Sequence, residues 1–252
     1  MGKKYNPIFK FNEELTEGII TKRKGQFIFY VKIKGKEYKC HCPTTGGVGG
    51  IIFKNIPCLC SKSTNKKRTT DYTVEAISLD NSNAKNKKWI GINQVASNKY
   101  IEFFLKNGCF DKMIKKINII QREQKLGNSK MDFKINNNCY IEVKSPLQHL
   151  NTEIPDYIKT RKKVFLYDGN RLIKHCIELT KSLKKNERAI MLITFQYDSY
   201  KFDDKSKAPS KNSDKIKDAV YKFIEFGGEI WQVNLSIDSK GVKFLKSFPI
   251  DV

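Results

Sequence analysis

Asp132, Glu142 and Lys144 are the residues of this chain whose types and spacing could do chemistry. Two carboxylates held close together repel unless a cation lies between them. Such oxygen-rich pairs suit Mg²⁺ or Mn²⁺. An ammonium beside them can orient a water or steady the charge of a phosphoryl transition state. Simple alternation brings the three together. Across residues 130–135, Met131, Phe133 and Ile135 share one strand face, and Lys130, Asp132 and Lys134 share the other. Across residues 139–144, Cys139, Ile141 and Val143 alternate with Tyr140, Glu142 and Lys144. With Asn137 at the centre of the Asn136-Asn137-Asn138 turn, residue 132 falls opposite residue 142, about 5 Å away in an antiparallel pair. A charged solvent face on a hairpin gives the same alternation, so the surrounding elements carry weight.

Those elements change character along the chain. Residues 15–79 read as about five short strands divided by turns, which fits a small OB-type barrel. Phe27, Phe29, Val31 and Ile33 alternate with Gln26, Ile28, Tyr30 and Lys32. A strand at 37–42 follows, then a glycine-rich loop at 43–50, a short apolar segment at 51–53, and strands around Cys58-Leu59-Cys60 and at 72–79. Residues 80–88 are polar and read as a linker. Beyond them Asn98 is a candidate N-cap for a helix over 99–106, stopped by Asn107-Gly108. A strand at 117–125 precedes the hairpin. A helix lies within 157–185, a strong strand at 188–195, a polar loop at 203–213, a helix at 214–226 ending at Gly227-Gly228, and strands at 230–237 and 242–245. This succession predicts an α/β domain with a mixed sheet. The expected division is an OB-fold domain at 1–86 and an α/β domain at 87–252.

The 252 residues carry 48 Lys+Arg against 26 Asp+Glu, a net charge of +22. Such a field attracts polyanions, nucleic acid first. Lys66-Lys67-Arg68 is the clearest local phosphate-binding run, and an OB face would supply aromatic stacking from among Phe27, Phe29, Tyr30 and Tyr72. No apolar run approaches the ~18 residues of a membrane span, and residues 1–5 lack the apolar core of a secretory signal. The expected setting is the cytoplasm, with the seven cysteines reduced. The Cys40/Cys42 and Cys58/Cys60 pairs resemble half-sites for zinc, but small buried strand residues explain them more simply.

An acid followed by Glu-X-Lys on the next strand resembles the PD-(D/E)XK nuclease arrangement. A wider resemblance agrees. His41-Cys42-Pro43-Thr44-Thr45-Gly46 is similar to the HCPNTG signature of the sugar fermentation stimulation protein A family. In the same order, Asn65-Lys66-Lys67-Arg68 with Tyr72-Thr73 resembles NPKRK and YT, and Trp89-Ile90-Gly91-Ile92-Asn93 resembles WVGVNT. Arg122-Glu123 with Lys125 and Gly127 resembles REVKYG, Ser129-Lys130-Met131-Asp132-Phe133 resembles SRIDF, and Tyr140-Ile141-Glu142-Val143-Lys144 resembles YVEVK. Ile154-Pro155-Asp156 resembles FPD, and Lys174-His175 lies where the family has KHL. Departures include Thr44, Lys66, Lys130 and Ser145, and extra residues lie between Arg161 and Lys174.

The resemblance implies an N-terminal OB-type β-barrel, then a PD-(D/E)XK nuclease-like α/β domain with a mixed sheet. It implies DNA, duplex or single-stranded, as the partner. Asp132, Glu142, Lys144 and Glu102 are the implied catalytic set, with Asp132, Glu142 and Glu102 holding Mg²⁺ or Mn²⁺. Lys66, Lys67, Arg68, Arg122 and Lys130 are the candidate DNA contacts. Glu123 could serve the same site, Gln196 could touch substrate, and His41 or His175 could act as a base. The other function that the resemblance implies is a non-catalytic DNA-binding regulator of sugar metabolism that keeps the nuclease scaffold.

Overall fold

Period-two burial builds two sheets. The computed structural model describes residues 6–44, 46–65, 67–161, 169–185, 187–202 and 212–251. The first sheet contains β2 (Thr16–Lys24), β3 (Ile28–Ile33), β4 (Lys36–His41), β5 (Ile56–Lys62) and β6 (Tyr72–Ser78). They run β4-β3-β2-β5-β6, and a parallel pairing of β4 with β6 closes them into a five-stranded OB-like barrel. Phe29, Val31, Ile33, Cys40, Cys58 and Cys60 point inward and are buried.

The second sheet is seven-stranded and mixed, in the order β1-β13-β12-β11-β10-β9-β8. Its strands are β1 (Ile8–Lys10), β8 (Ile120–Leu126), β9 (Ser129–Ile135), β10 (Cys139–Lys144), β11 (Arg188–Phe195), β12 (Glu229–Ile237) and β13 (Gly241–Pro249). The pairs β10–β11 and β11–β12 are parallel. Parallel neighbours need long crossovers, and α2 (Asn170–Leu183) and α3 (Ser213–Glu225) lie on those connections. The opposite face is covered by α1 (Ser97–Lys106), whose Tyr100, Ile101, Phe104 and Leu105 pack with Phe133, Ile141, Leu192 and Val233. The α2–α3 face shares one continuous apolar cluster with the barrel interior, from Ile20 and Phe29 through Val48 and Leu147 to Tyr140, Cys176 and Phe223. No helix of the described residues is long and apolar enough to cross a membrane.

Several expectations need correction. Two short strands that the sequence did not indicate join the sheets. A strand β7 (Trp89–Gly91) adds to β6, while β1 leaves the N-terminal part and pairs with β13. Gly91 is constrained by this seam, because a Cβ there would lie 2.5 Å from the Gln196 Cβ. The apolar segment 51–53 forms only an isolated bridge, Ile51 to Thr160. Its main chain is drawn to the segment after β10 instead, with Ile52 N–H donating to Lys159 at 2.8 Å. Asn98 is not an N-cap. A short 3-10 turn, Gln94–Ala96, precedes α1, and the capping side chain there is Asn93. Phe29 is fully buried, leaving Phe27 exposed at 48% and Tyr30 and Tyr72 half-buried. The expected loop at 203–213 lies largely outside the described residues, as does Lys66.

Candidate active site

The hairpin follows the expected register. Cys139 pairs with Ile135, Tyr140 with Lys134, and Ile141 with Phe133. Asn136 and Asn137 take φ of 51° and 65°, a left-handed turn that asparagine tolerates better than most residues. The ladder then stops. At the next position, where Asp132 and Glu142 would be opposite, the Asp132 carboxylate itself takes the main-chain donor: Val143 N–H gives to Oδ2 at 2.8 Å. Oδ1 accepts from the Asn98 amide at 2.6 Å. The same break occurs on the other side of β9. Arg122 pairs with Phe133 and Gln124 with Met131, but Glu123, opposite Asp132, has φ of 51° and drops out. A non-glycine residue in this conformation within a strand is strained, and such strain concentrates at functional sites.

Glu142 is 2% exposed. Its Oε1 is shared by two donors, Lys144 Nζ at 2.6 Å and His175 Nδ1 at 2.5 Å. Lys144 Nζ lies 3.3 Å from His175 Nδ1. Among the described residues, Glu142 Oε2 is buried with no hydrogen-bond partner. The electrostatics separate the two acids. Burial drives Asp132 above the usual aspartate range, the Glu142 charge adds to this, and the Val143 N–H, Asn98 and Lys144 offset only part of it. Burial pushes Glu142 the same way, but His175 and Lys144 outweigh it and bring the carboxyl below the usual glutamate range.

These residues fit a divalent cation in one specific respect. An unpaired buried carboxylate oxygen is costly, and Glu142 Oε2 faces that cost with its carboxyl in electrostatic reach of Asp132. Asp132 and Glu142 are the residues that could hold the ion. Among the described residues no group of three or more His, Cys, Asp or Glu side chains is arranged for a metal. The remaining ligands would therefore be water or substrate oxygens, as Mg²⁺ commonly keeps.

The other expected residues are placed as follows. Glu102, one turn beyond Asn98 on α1, is engaged by Lys106 at 2.6 Å and Arg122 at 3.4 Å. Arg122 is thus tied to an acid, and Lys130 lies 3.7 Å from Glu123. Lys67 is exposed on the loop after β5. Arg68 on the same loop donates to Thr70 and Thr73 hydroxyls at 3.2 and 3.1 Å. His41 lines a cleft with Lys67 and Arg68. Gln196 is buried and donates to the Asn93 carbonyl and the Ser97 hydroxyl, both at 2.8 Å. Ser97 in turn accepts from Ser145 at 2.8 Å, next to Lys144. Gln196 therefore braces the start of α1 rather than facing solvent. Sequence reasoning missed Asn98 as a partner of Asp132 and missed this Ser97–Ser145 link. The motif around Lys174-His175 was the available signal for His175; no comparable signal marked Asn98.

Comparison with known proteins gives one answer. Residues 21–92 match the family described as the SfsA N-terminal OB domain, and residues 95–241 match the sugar fermentation stimulation protein RE domain. A sugar fermentation stimulation protein homolog from Clostridium novyi is 37% identical over 54% of this chain and 57% of its own length. One from Clostridium perfringens is 28% identical over 96% of this chain and 99% of its own. The solved structure of Pyrococcus furiosus SfsA in complex with Ca²⁺ has a TM-score of 0.72 over 97% of this chain and 99% of that one. At 18% identity that likeness is one of fold. With both halves matched in order, the chain belongs to the sugar fermentation stimulation protein family.

Proposed function

We propose that this protein binds DNA and hydrolyses phosphodiester bonds with a divalent cation held by Asp132 and Glu142. The observation that carries the reading is the buried Glu142 Oε2, unpaired among the described residues, on a carboxyl in electrostatic reach of Asp132, with Lys144 fixed on the other oxygen. Mg²⁺ or Mn²⁺ there would polarise a phosphate oxygen and lower the pKa of a bound water. The protein's own groups set the geometry. His175 and Lys144 both grip Glu142 Oε1, so Oε2 is turned away from them. Asn98 and the Val143 N–H hold the Asp132 carboxylate against rotation. The Lys144 side chain is partly exposed, and its ammonium can meet the negative charge that grows on a phosphate in the transition state. The +22 net charge supplies the long-range attraction to DNA. Ca²⁺ accompanies the Pyrococcus relative in its structure, which accords with a divalent-cation site in this fold. Seven free thiols accord with the reducing cytoplasm as the place of action.

A non-catalytic DNA-binding regulator is the second reading. It is favoured by the closed Glu142–Lys144–His175 network and by Glu102 being engaged elsewhere. Incubation with supercoiled and single-stranded DNA, with Mg²⁺, Mn²⁺ or EDTA and an Asp132→Asn control, separates the two. Metal-dependent nicking lost in the variant supports hydrolysis; DNA left whole under every condition supports the regulator.

A further inference from the structure

One buried amide ties together the ends of the elements that carry the candidate site. Gln196 follows the last residue of β11 and is 3% exposed. Its two side-chain N–H groups donate to the Asn93 carbonyl and to the Ser97 hydroxyl, both at 2.8 Å. A carbonyl can only accept, so the contact with Asn93 fixes which way the amide points. Gly91 pins the residue from the other side. Its N–H donates to the Gln196 carbonyl at 2.9 Å, and a Cβ on Gly91 would lie 2.5 Å from Gln196 Oε1.

Ser97 passes this constraint to both halves of the site. It is buried at the start of α1, and its hydroxyl also accepts from the Ser145 hydroxyl at 2.8 Å. The residue after Ser97 is Asn98, which donates to Asp132 Oδ1 at 2.6 Å. The residue before Ser145 is Lys144, which grips Glu142 Oε1 at 2.6 Å. The Ser145 carbonyl is held as well, by Gln94 Nε2 at 2.6 Å. Helix ends fray, and Ala96 gives α1 no side-chain cap. Ser97 and Asn98 therefore depend on tertiary bonds for their place. Stability alone does not account for the amide. Among the described residues Gln196 Oε1 is buried with no hydrogen-bond partner, a cost that an apolar side chain would not carry.

We propose that Gln196 is a positioning residue for the cation site, setting Asn98 on Asp132 and Ser145 beside Lys144 by way of Ser97. The proposal rests on the reading of Asp132 and Glu142 as cation ligands above. Both N–H groups of the amide are already used, so Gln196 acts on the carboxylates only through Ser97. Altering a group that orients a metal's ligands typically costs about 10- to 100-fold in affinity or activity.

The test is titration of the full chain with Mn²⁺, without DNA, followed by electron paramagnetic resonance, which reads free Mn²⁺ directly. The site's share is the binding that Glu142→Gln removes. Gln196→Met removes the amide and keeps an unbranched side chain. It is expected to weaken that binding by about 10- to 100-fold, with a urea midpoint near the parent's. Ser97→Ala should show the same loss even if Gln196→Met fails to fold. Thr194→Val is the control. Thr194 lies on the same strand, and among the described residues its buried hydroxyl has no partner, so this change should leave Mn²⁺ binding as it is. Equal loss in Thr194→Val would mark a general loosening of β11 and overturn the positioning role. Parent-like binding in both Gln196→Met and Ser97→Ala, or failure of both to fold, would overturn it too. In each of these cases the parent's Glu142-dependent binding leaves the cation reading standing. A parent that binds no Mn²⁺, or binds it equally well with Glu142→Gln, overturns both.

Discussion

The Asp132 carboxylate takes the place of a main-chain acceptor for Val143, at 2.8 Å, where β9 and β10 part. The side chain thus completes the hairpin and borders the candidate cation site at once. Asparagine can keep an acceptor there; alanine cannot. Asp132→Asn should leave the unfolding midpoint near that of the parent while abolishing metal-dependent cleavage. Asp132→Ala should lose about 1–3 kcal/mol, because the Val143 N–H loses its partner. Urea unfolding measures both, and equal stability of the alanine variant would remove the structural role.

Glu142 and His175 should be energetically coupled. Their 2.5 Å contact lies among buried side chains and helps keep Glu142 ionised. In a double-mutant cycle with Glu142→Gln and His175→Ala, the coupling should be about 0.5–3 kcal/mol. Strict additivity in denaturant unfolding would show that the contact contributes nothing.

A divalent cation that binds the folded protein should raise its melting temperature in a saturable way. Ca²⁺, Mg²⁺ and Mn²⁺ are each expected to do so, and Glu142→Gln should remove the shift by removing Oε2 as an anionic ligand. A shift that persists in this variant would place the ion elsewhere.

DNA affinity should fall steeply with salt, as counterions are released from each neutralised phosphate. Lys67→Ala with Arg68→Ala should weaken binding and reduce the salt slope by about one to two. Affinity that ignores salt would leave the +22 charge without a role in binding.

Glu229 gives a pH test away from the site. Burial raises its carboxyl, but the bonds from Arg188 and Trp231 outweigh this and leave it below the usual range. A depressed folded pKa contributes stability that is present above the unfolded value and is lost as pH falls through the folded one. The stability advantage of the parent over Glu229→Gln should therefore be largest near neutrality and shrink in acid. A difference that stays constant over that range would remove the linkage.

What the sequence determined by itself was local. Period-two alternation marked β9 and β10 and their two faces, because successive strand side chains point to opposite sides. The three asparagines set the turn, and the turn set the register that brings residues 132 and 142 to the same level. The helix breaker Asn107-Gly108 ended α1 where expected, with Gly108 at φ 69°. The tertiary structure decided what no local rule contains. Asn98 could be read as a cap, since asparagine favours that position; only the packing of α1 on the sheet turned its amide to Asp132, 34 residues away. His175 reaches Glu142 across 33 residues because α2 crosses back over the sheet to feed a parallel strand. β1 and β7 were not marked by the sequence for the same reason: a three-residue strand has too little pattern of its own, and its place is set by whichever edge offers unpaired main-chain groups.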